Sequence, residues 1–397
     1  METHHALPLD DLLVVELGDT VAPAYTGKLL AELGATVIRV DGLSGGQLYR
    51  TAPLVGCDQS GLKVGAPYLH LNRNKKSLSF DISAPEGGEI LGKLLARADI
   101  LIDGLGVDVL ARVGCPHEGL LVDFPELIVA SITPFGLDGP YRDLNASDLA
   151  VVALGGLLNM VGFPEREPLQ LGGSQAQYAA GLSAFTGIMA ALYYRDQTSQ
   201  GQLVDASMLE TIAFVEWKSG AYFEADGRVR YRVGNQSHWL VLPANDGYVA
   251  LVYQDDSFPG LIKLTGLEVL DDERFATRQG RAEHADEIRQ ILTPWFANRS
   301  KIDVYHEGQA HGIPLGFVAT AEDLLSTPQY EARGFWQTVD HPATGPAQYP
   351  GVPYHMSGVS LRSDRAPVPG EQTAEVLGSV LGLSDSWINH YRQREVI

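Results

Sequence analysis

Residues 12–40 confine the chain to a narrow set of folds. The run 12–17 (LLVVEL) is short, apolar and rich in Val and Leu, the pattern of a strand buried on both faces of a parallel sheet. Gly18 and Asp19 break it, and Pro23 opens a helical pattern that puts Leu29, Leu30 and Leu33 on one face before stopping at Gly34. A second strand-like run, TVIRV, follows at 36–40. Two strands around one helix within about 30 residues call for a right-handed crossover between parallel strands. The alternation continues. Runs 68–71 and 77–81 flank the polar insert NRNKK, and a helix runs from Pro85 to 96 with Glu86 in its first turn and Lys93 and Arg97 at its far end, as the helix dipole favours. Strands at 100–102 and 127–132 bracket a helix ending near Gly114. The class this predicts is α/β, an open doubly wound parallel sheet. Residues 42–65, rich in glycine, read as an irregular surface excursion.

Ligands of such sheets bind beyond the carboxyl ends of the strands, here residues 18–21, 41–46, 103–107 and 133–139. Neither G-x-G-x-x-G nor G-x-x-x-x-G-K-[ST] stands at a strand-to-helix junction, which argues against dinucleotide and P-loop sites. Further on, 147–161 and 178–194 read as apolar helices with small residues. From about 223 the character changes to short aromatic and β-branched runs at 231–233, 239–243 and 248–253. The last two are joined by Asn245, Asp246 and Gly247, a hairpin signal. Helical stretches follow to 296 and over 302–312. The expected organisation is a large domain over 1–222 and a smaller α+β domain over 223–319. The remainder, 320–397, is a proline-bearing strap (Pro342, Pro350, Pro353, Pro367, Pro369) that returns to the large domain with a helix near 373–381.

A formal net charge of -20 repels nucleic acid and anionic membranes, though not an anionic small ligand held by local cations. Two cysteines, Cys57 and Cys115, make neither a disulfide framework nor a four-ligand zinc site. With no signal-like N-terminus and no apolar stretch of about 20 residues, a cytoplasmic protein without membrane contact is expected, with no metal site.

Several segments, in order, resemble one family. They are PLDDLLVVELGDTVAPAYTGKLLAELGATVIRVD, LNRNKKSLSFDISAPEGGEIL, ADILIDGLGVDVLARVG, ASITPFGLDGPYRDLNASDLAVVALGGLL, GIMAALYYRDQTSQGQLVDASMLE, RVGNQSHWLVLPANDGYVAL, HGIPLGFVATAEDLLSTPQYEARGFW and VPYHMSGV. Together they resemble the family III CoA-transferases, the group of formyl-CoA:oxalate CoA-transferase, carnitine CoA-transferase and α-methylacyl-CoA racemase. The resemblance implies a Rossmann-like large domain, a small middle domain and two interlocked subunits. It implies coenzyme A thioesters and carboxylic acids as substrates, with no covalently bound cofactor, and a catalytic aspartate that attacks the thioester through an anhydride.

That aspartate aligns with Gln177, four residues before Gly181. An amide is neutral and cannot form the anhydride, and no Asp or Glu lies between Glu167 and Asp196. The racemase branch has a histidine where this chain has Ser147, one position before Asp148, which reads as a helix-capping or buried structural acid. For coenzyme A, the resemblance points to Arg39, to Asn72, Lys75 and Lys76 of the Asn-x-x-Lys-Lys-Ser segment, and to Arg112; a solvated basic patch is the bland alternative. The loop 104–108 departs from the family's Asn-Phe-x-Pro-Gly and gains Asp108. His238 and Trp239 line a site or pack in the small domain; His311 reads as a surface residue and His4 and His5 as terminal. The leading expectation is a subunit without its own nucleophile, paired with a paralogue that carries the aspartate, as in benzylsuccinate CoA-transferase. The alternatives are an active homodimeric transferase or isomerase using another residue, and a non-enzymatic CoA-thioester binding protein.

Overall fold

The computed structural model describes residues 7–43, 46–58, 61, 63–232 and 238–397. The chain divides into two compact units: one takes in the residues up to Leu158, Gln170–Ala221 and Arg333–Ile397, the other Asn159–Leu169 and Tyr222–Ala332. Sequence reading set the breaks at 222/223 and 319/320 and did not separate 159–169 from the large domain.

The first unit is built on a six-stranded sheet of β1 (Leu13–Leu17), β2 (Thr36–Asp41), β5 (Lys76–Ser79), β6 (Ile100–Asp103), β7 (Ile128–Thr133) and β8 (Leu203–Ser207), in the order β5-β2-β1-β6-β7-β8. Every pairing in it is parallel. Alternate residues serve opposite faces. Val14, Val37, Ile100, Ile102, Ile128 and Ala130 belong to one buried cluster; Val15, Leu17, Ile38, Leu101 and Val129 belong to the other. Helices cover both faces, as buried parallel sheets require. The chain leaves β1 toward β2 on one side and reaches β6 on the other, so a switch point lies at the carboxyl ends of β1 and β6.

On the first face α1 (Val21–Glu32) packs against the 24-residue α8 (Gln175–Thr198). Gly181 permits the close approach: a Cβ there would lie 2.8 Å from the Ala22 carbonyl oxygen, and the Thr26 hydroxyl donates to the Gly181 carbonyl at 3.0 Å. The expected helix over 147–161 is shorter. It spans Asp148–Leu154 (α7) and yields to a 3-10 turn at Leu157–Met160 through Gly155 and Gly156, the latter at φ 86°.

Two expectations need correction. Residues 42–65 are not a bare surface excursion, because they hold a short helix, Gly46–Arg50, and a hairpin of β3 (Leu54–Cys57) and β4 (Lys63–Gly65). Leu48, Tyr49 and Val64 are buried with Tyr68, which draws the segment inward. Nor is the tail a strap with one helix. It forms a hairpin of β12 (Trp336–His341) and β13 (Gly345–Pro350), and a further helix, Asp385–Gln393, follows the helical turns at 373–380. Val376, Leu377, Ile388, Tyr391 and Val396 complete the second face of the sheet.

In the second unit β9 (Trp239–Ala244) and β10 (Gly247–Val252) form the expected hairpin around Asn245 and Asp246, and β11 (Leu315–Phe317) adds to β10. Leu242, Val249, Phe275, Leu292 and Phe296 form its core.

Candidate active site

The carboxyl ends of β1, β6 and β7 open into a cavity of about 560 Å³. Thr20 at the cap of α1, Ala22 in its first turn, the loop Gly104–Asp108, the start of α7 and the head of α8 line it. All these elements belong to the first unit. Gln177 sits in the first turn of α8. Its side-chain oxygen accepts from the Val21 N–H at 2.9 Å, at the N-terminus of α1. With the oxygen so fixed, the carboxamide nitrogen is left as a donor.

Asp148 meets Gln177 here despite being 29 residues away: its Oδ1 accepts from the Gln177 N–H at 3.0 Å. The capping expected of Asp148 is therefore given to α8, while Ser147 caps α7 by accepting from the Ala150 N–H at 3.3 Å. Burial raises the Asp148 carboxyl above its ordinary range, against the opposing N–H bonds of Gln177 and Ala176. The absence of an acid between Glu167 and Asp196 thus does not leave the head of α8 without a carboxyl group.

Of the five residues expected to hold coenzyme A, the structure brings Arg112 alone to this cavity. It is exposed and makes no ion pair among the described residues. Arg39 is 1% exposed and bonded to three carboxylates, Glu16 at 3.0 Å, Asp19 at 2.7 Å and Asp41 at 2.7 Å. Burial alone would lower its pKa; the carboxylates more than offset this and raise it. Lys75 places its ammonium on Glu16 at 2.7 Å, the Ala24 carbonyl at 2.7 Å and Asn72 Oδ1 at 2.9 Å, which uses all three donors. Burial pushes it down to about 8, against the pull of Glu16. Arg39 and Lys75 therefore form a buried charge cluster around Glu16, with Asn72 beside Lys75 and its side-chain nitrogen without a partner. The reason is register: Glu16 and Arg39 are paired neighbours on β1 and β2 and share a sheet face. Lys76 is partly exposed and pairs with Glu375 at 2.7 Å.

Sequence reasoning missed Arg142. From the loop after β7 it reaches Asp108 at 2.7 Å and Asp143 at 3.4 Å. Asp108, the acid gained in the family's loop, stands at φ 58°. Three carboxylates (Asp108, Asp143, Asp148) and two guanidiniums (Arg112, Arg142) line the cavity. The loop Gly104–Asp108 is fastened from behind: Asp103 accepts from the Leu105 N–H at 3.0 Å and pairs with His117 Nε2 at 2.8 Å. That bond raises His117 above its ordinary value, against the effect of burial. Across Leu105 a second, more apolar cavity of about 480 Å³ is lined by Leu17, Val40, Phe80 and Ile82. His238 precedes β9 and Trp239 begins it in the second unit, and Trp239 is 65% exposed. His311 is exposed; His4 and His5 lie outside the described residues.

A carboxyl group, a fixed amide donor and one unpaired guanidinium around a cavity suit an anionic carbonyl compound. A family model described as CoA-transferase family III matches residues 9–373. The chain is 33% identical over 384 residues to succinate–glutarate CoA-transferase of Agrobacterium fabrum, covering 94% of this chain and 96% of that one. It is 31% identical over 380 residues to subunit BbsE of succinyl-CoA:(R)-benzylsuccinate CoA-transferase from Thauera aromatica, covering 92% of each. A crystal structure of a CAIB/BAIF family protein from Brucella suis matches with a TM-score of 0.86 at 29% identity, covering 95% of this chain and all of that one.

Proposed function

We propose, for a chain that belongs to CoA-transferase family III, that it works as the non-nucleophilic subunit of a transferase that moves CoA between an acyl-CoA donor and a carboxylic acid. Members of this family use CoA thioesters as substrates. Gln177 carries the reading: the side chain at the head of α8 is an amide whose oxygen is committed to the Val21 N–H. It can hold a carbonyl group through its remaining donors but cannot add to one. The nucleophile then comes from a paralogous chain with aspartate at this position. Two observations support a partner. The relative from Thauera aromatica is named as a subunit. Leu182, Tyr193, Phe214 and Trp217 are 50%, 71%, 81% and 61% exposed along α8 and the two helices after β8, an apolar surface that an interlocked companion would cover. The relatives' names point to dicarboxylic acids, with succinyl-CoA to benzylsuccinate as one such exchange. Arg112 is the cation for the ligand's phosphate or distal carboxylate.

A second reading rests on Asp148. Its carboxyl group lines the same cavity and is raised by burial. In this reading one Asp148 oxygen attacks the thioester carbonyl carbon, the C–S bond breaks and the CoA thiolate leaves, with a mixed anhydride remaining. Substitution separates the two. If the amide is the missing element, Gln177→Asp gives the lone chain transferase activity that the parent lacks. If Asp148 is the nucleophile, the parent chain is active alone and Asp148→Asn abolishes that activity, which would overturn the first reading.

A further inference from the structure

A second polar cavity lies wholly within the first unit, between the start of β12 and the segment that follows β13. It measures about 220 Å³, and Arg333, Gln337, Tyr354, His355 and Arg362 stand among its lining residues. It shares no residue with the reaction cavity. Neither Arg333 nor Arg362 has a carboxylate within ion-pairing distance among the described residues.

A third guanidinium stands behind them. Arg73 is 1% exposed, and its hydrogen bonds go to neutral acceptors: the carbonyls of Asp364 and Pro350, both at 3.2 Å, Gln337 Oε1 at 3.0 Å and Ser363 Oγ at 2.6 Å. Burial lowers its pKa, with Glu32 and Asp364 as the acids that oppose the shift; Glu32 is itself paired with Lys28. Gln337 accepts from Arg73 and from Ser363, which leaves its nitrogen to donate. That nitrogen lies beside Gly351, 3.0 Å from where a Cβ would stand, and both residues line the cavity. The chain as a whole carries -20. Two lining guanidiniums without an ion pair among the described residues, and a third behind them bonded to the lining Gln337, make a locally positive site in so acidic a protein.

We infer that this cavity binds a small dianion, an oxyanion of phosphate or short dicarboxylate chemistry, held by Arg333 and Arg362 with Gln337 as a neutral donor. Guanidinium forks match such oxygens in pairs. The volume lies below the roughly 300 Å³ at which sites for drug-sized ligands begin, so a free phosphate or a four-carbon diacid fits and a whole CoA does not. The inference does not depend on which subunit carries the transferase nucleophile.

Calorimetric titration of the full chain with inorganic phosphate, succinate and acetate tests it, using the parent, Arg333→Met, Arg362→Met and Arg112→Met. Circular dichroism checks that each variant is folded. The parent binds phosphate or succinate at this cavity one to one, beside any uptake by the reaction cavity, and acetate more weakly, and the affinity falls with added salt. Arg362→Met and Arg333→Met each weaken this binding roughly tenfold or more, the loss expected for a charged hydrogen bond, while Arg112→Met still binds one equivalent, because it removes only the cation of the reaction cavity. The stronger of the phosphate and succinate arms identifies the ligand source. Binding undiminished by both cavity substitutions, binding lost only in Arg112→Met, or no binding by the parent would each overturn the inference.

Discussion

At the scale of single residues, what a side chain can do here depends on what it already touches. Arg39 and Lys75 fit a coenzyme-binding pattern in sequence, yet Arg39 is paired with Glu16, Asp19 and Asp41, and Glu16, Ala24 and Asn72 take the three donors of Lys75. That outcome was not legible, because a sequence does not show which carboxylates share a sheet face with a cation. Gln177 was legible, since its position follows from the spacing to Gly181. Its contact with Asp148 was not, because it joins the first turns of two helices, 29 residues apart. Asp108 stood out in sequence as an acid in a ligand loop, and the structure adds its partner, Arg142. This pair is largely solvent-exposed, so it holds Arg142 weakly. Asp108→Asn, which tolerates the positive φ, removes a repelling charge and frees the guanidinium for an anionic ligand. CoA affinity measured by calorimetry then rises by up to about fivefold; an unchanged or weaker affinity would show that Arg142 does not face the ligand.

At the scale of elements, strand and helix patterns carried most of the first unit. The runs at 12–17, 36–40, 100–102 and 127–132 became β1, β2, β6 and β7 because a strand buried on both faces is apolar throughout. Prolines and glycines misled the reading of 42–65 and of the tail, where a few buried side chains such as Tyr49 and Ile388 organise short elements that no periodicity announces. The loop after β6 depends on the contact between Asp103 and the helix His117–Asp123. The folded protein binds the His117 proton more tightly than the unfolded chain does. The pair's stabilisation is therefore complete below the ordinary histidine value of 6.5 and is lost as pH rises through the raised value. Asp103, Glu118 and Asp205 are the acids that face this imidazole. Urea midpoints from pH 6 to 8 should fall more steeply for the parent than for His117→Gln, with a difference below about 1.5 kcal/mol. Parallel curves would remove His117 from the fastening of this loop.

At the scale of the whole molecule, the doubly wound sheet and a second α+β unit were legible, because alternation over 130 residues admits few topologies. The inclusion of 159–169 in the second unit was not, since it reflects contacts with residues beyond 222. The family relationship covers nearly all of the chain, and the head of α8 carries the Gln177 amide. The central claim is that this polypeptide never carries the acyl group or CoA covalently. Denaturing intact-mass spectrometry after incubation with succinyl-CoA, for the chain alone and mixed with an aspartate-bearing companion, tests it most directly. The account predicts an unchanged mass for this chain in both samples and a CoA thioester on the companion. A CoA or succinyl increment on this chain, mapped to Asp148 or to any other acid, would contradict it.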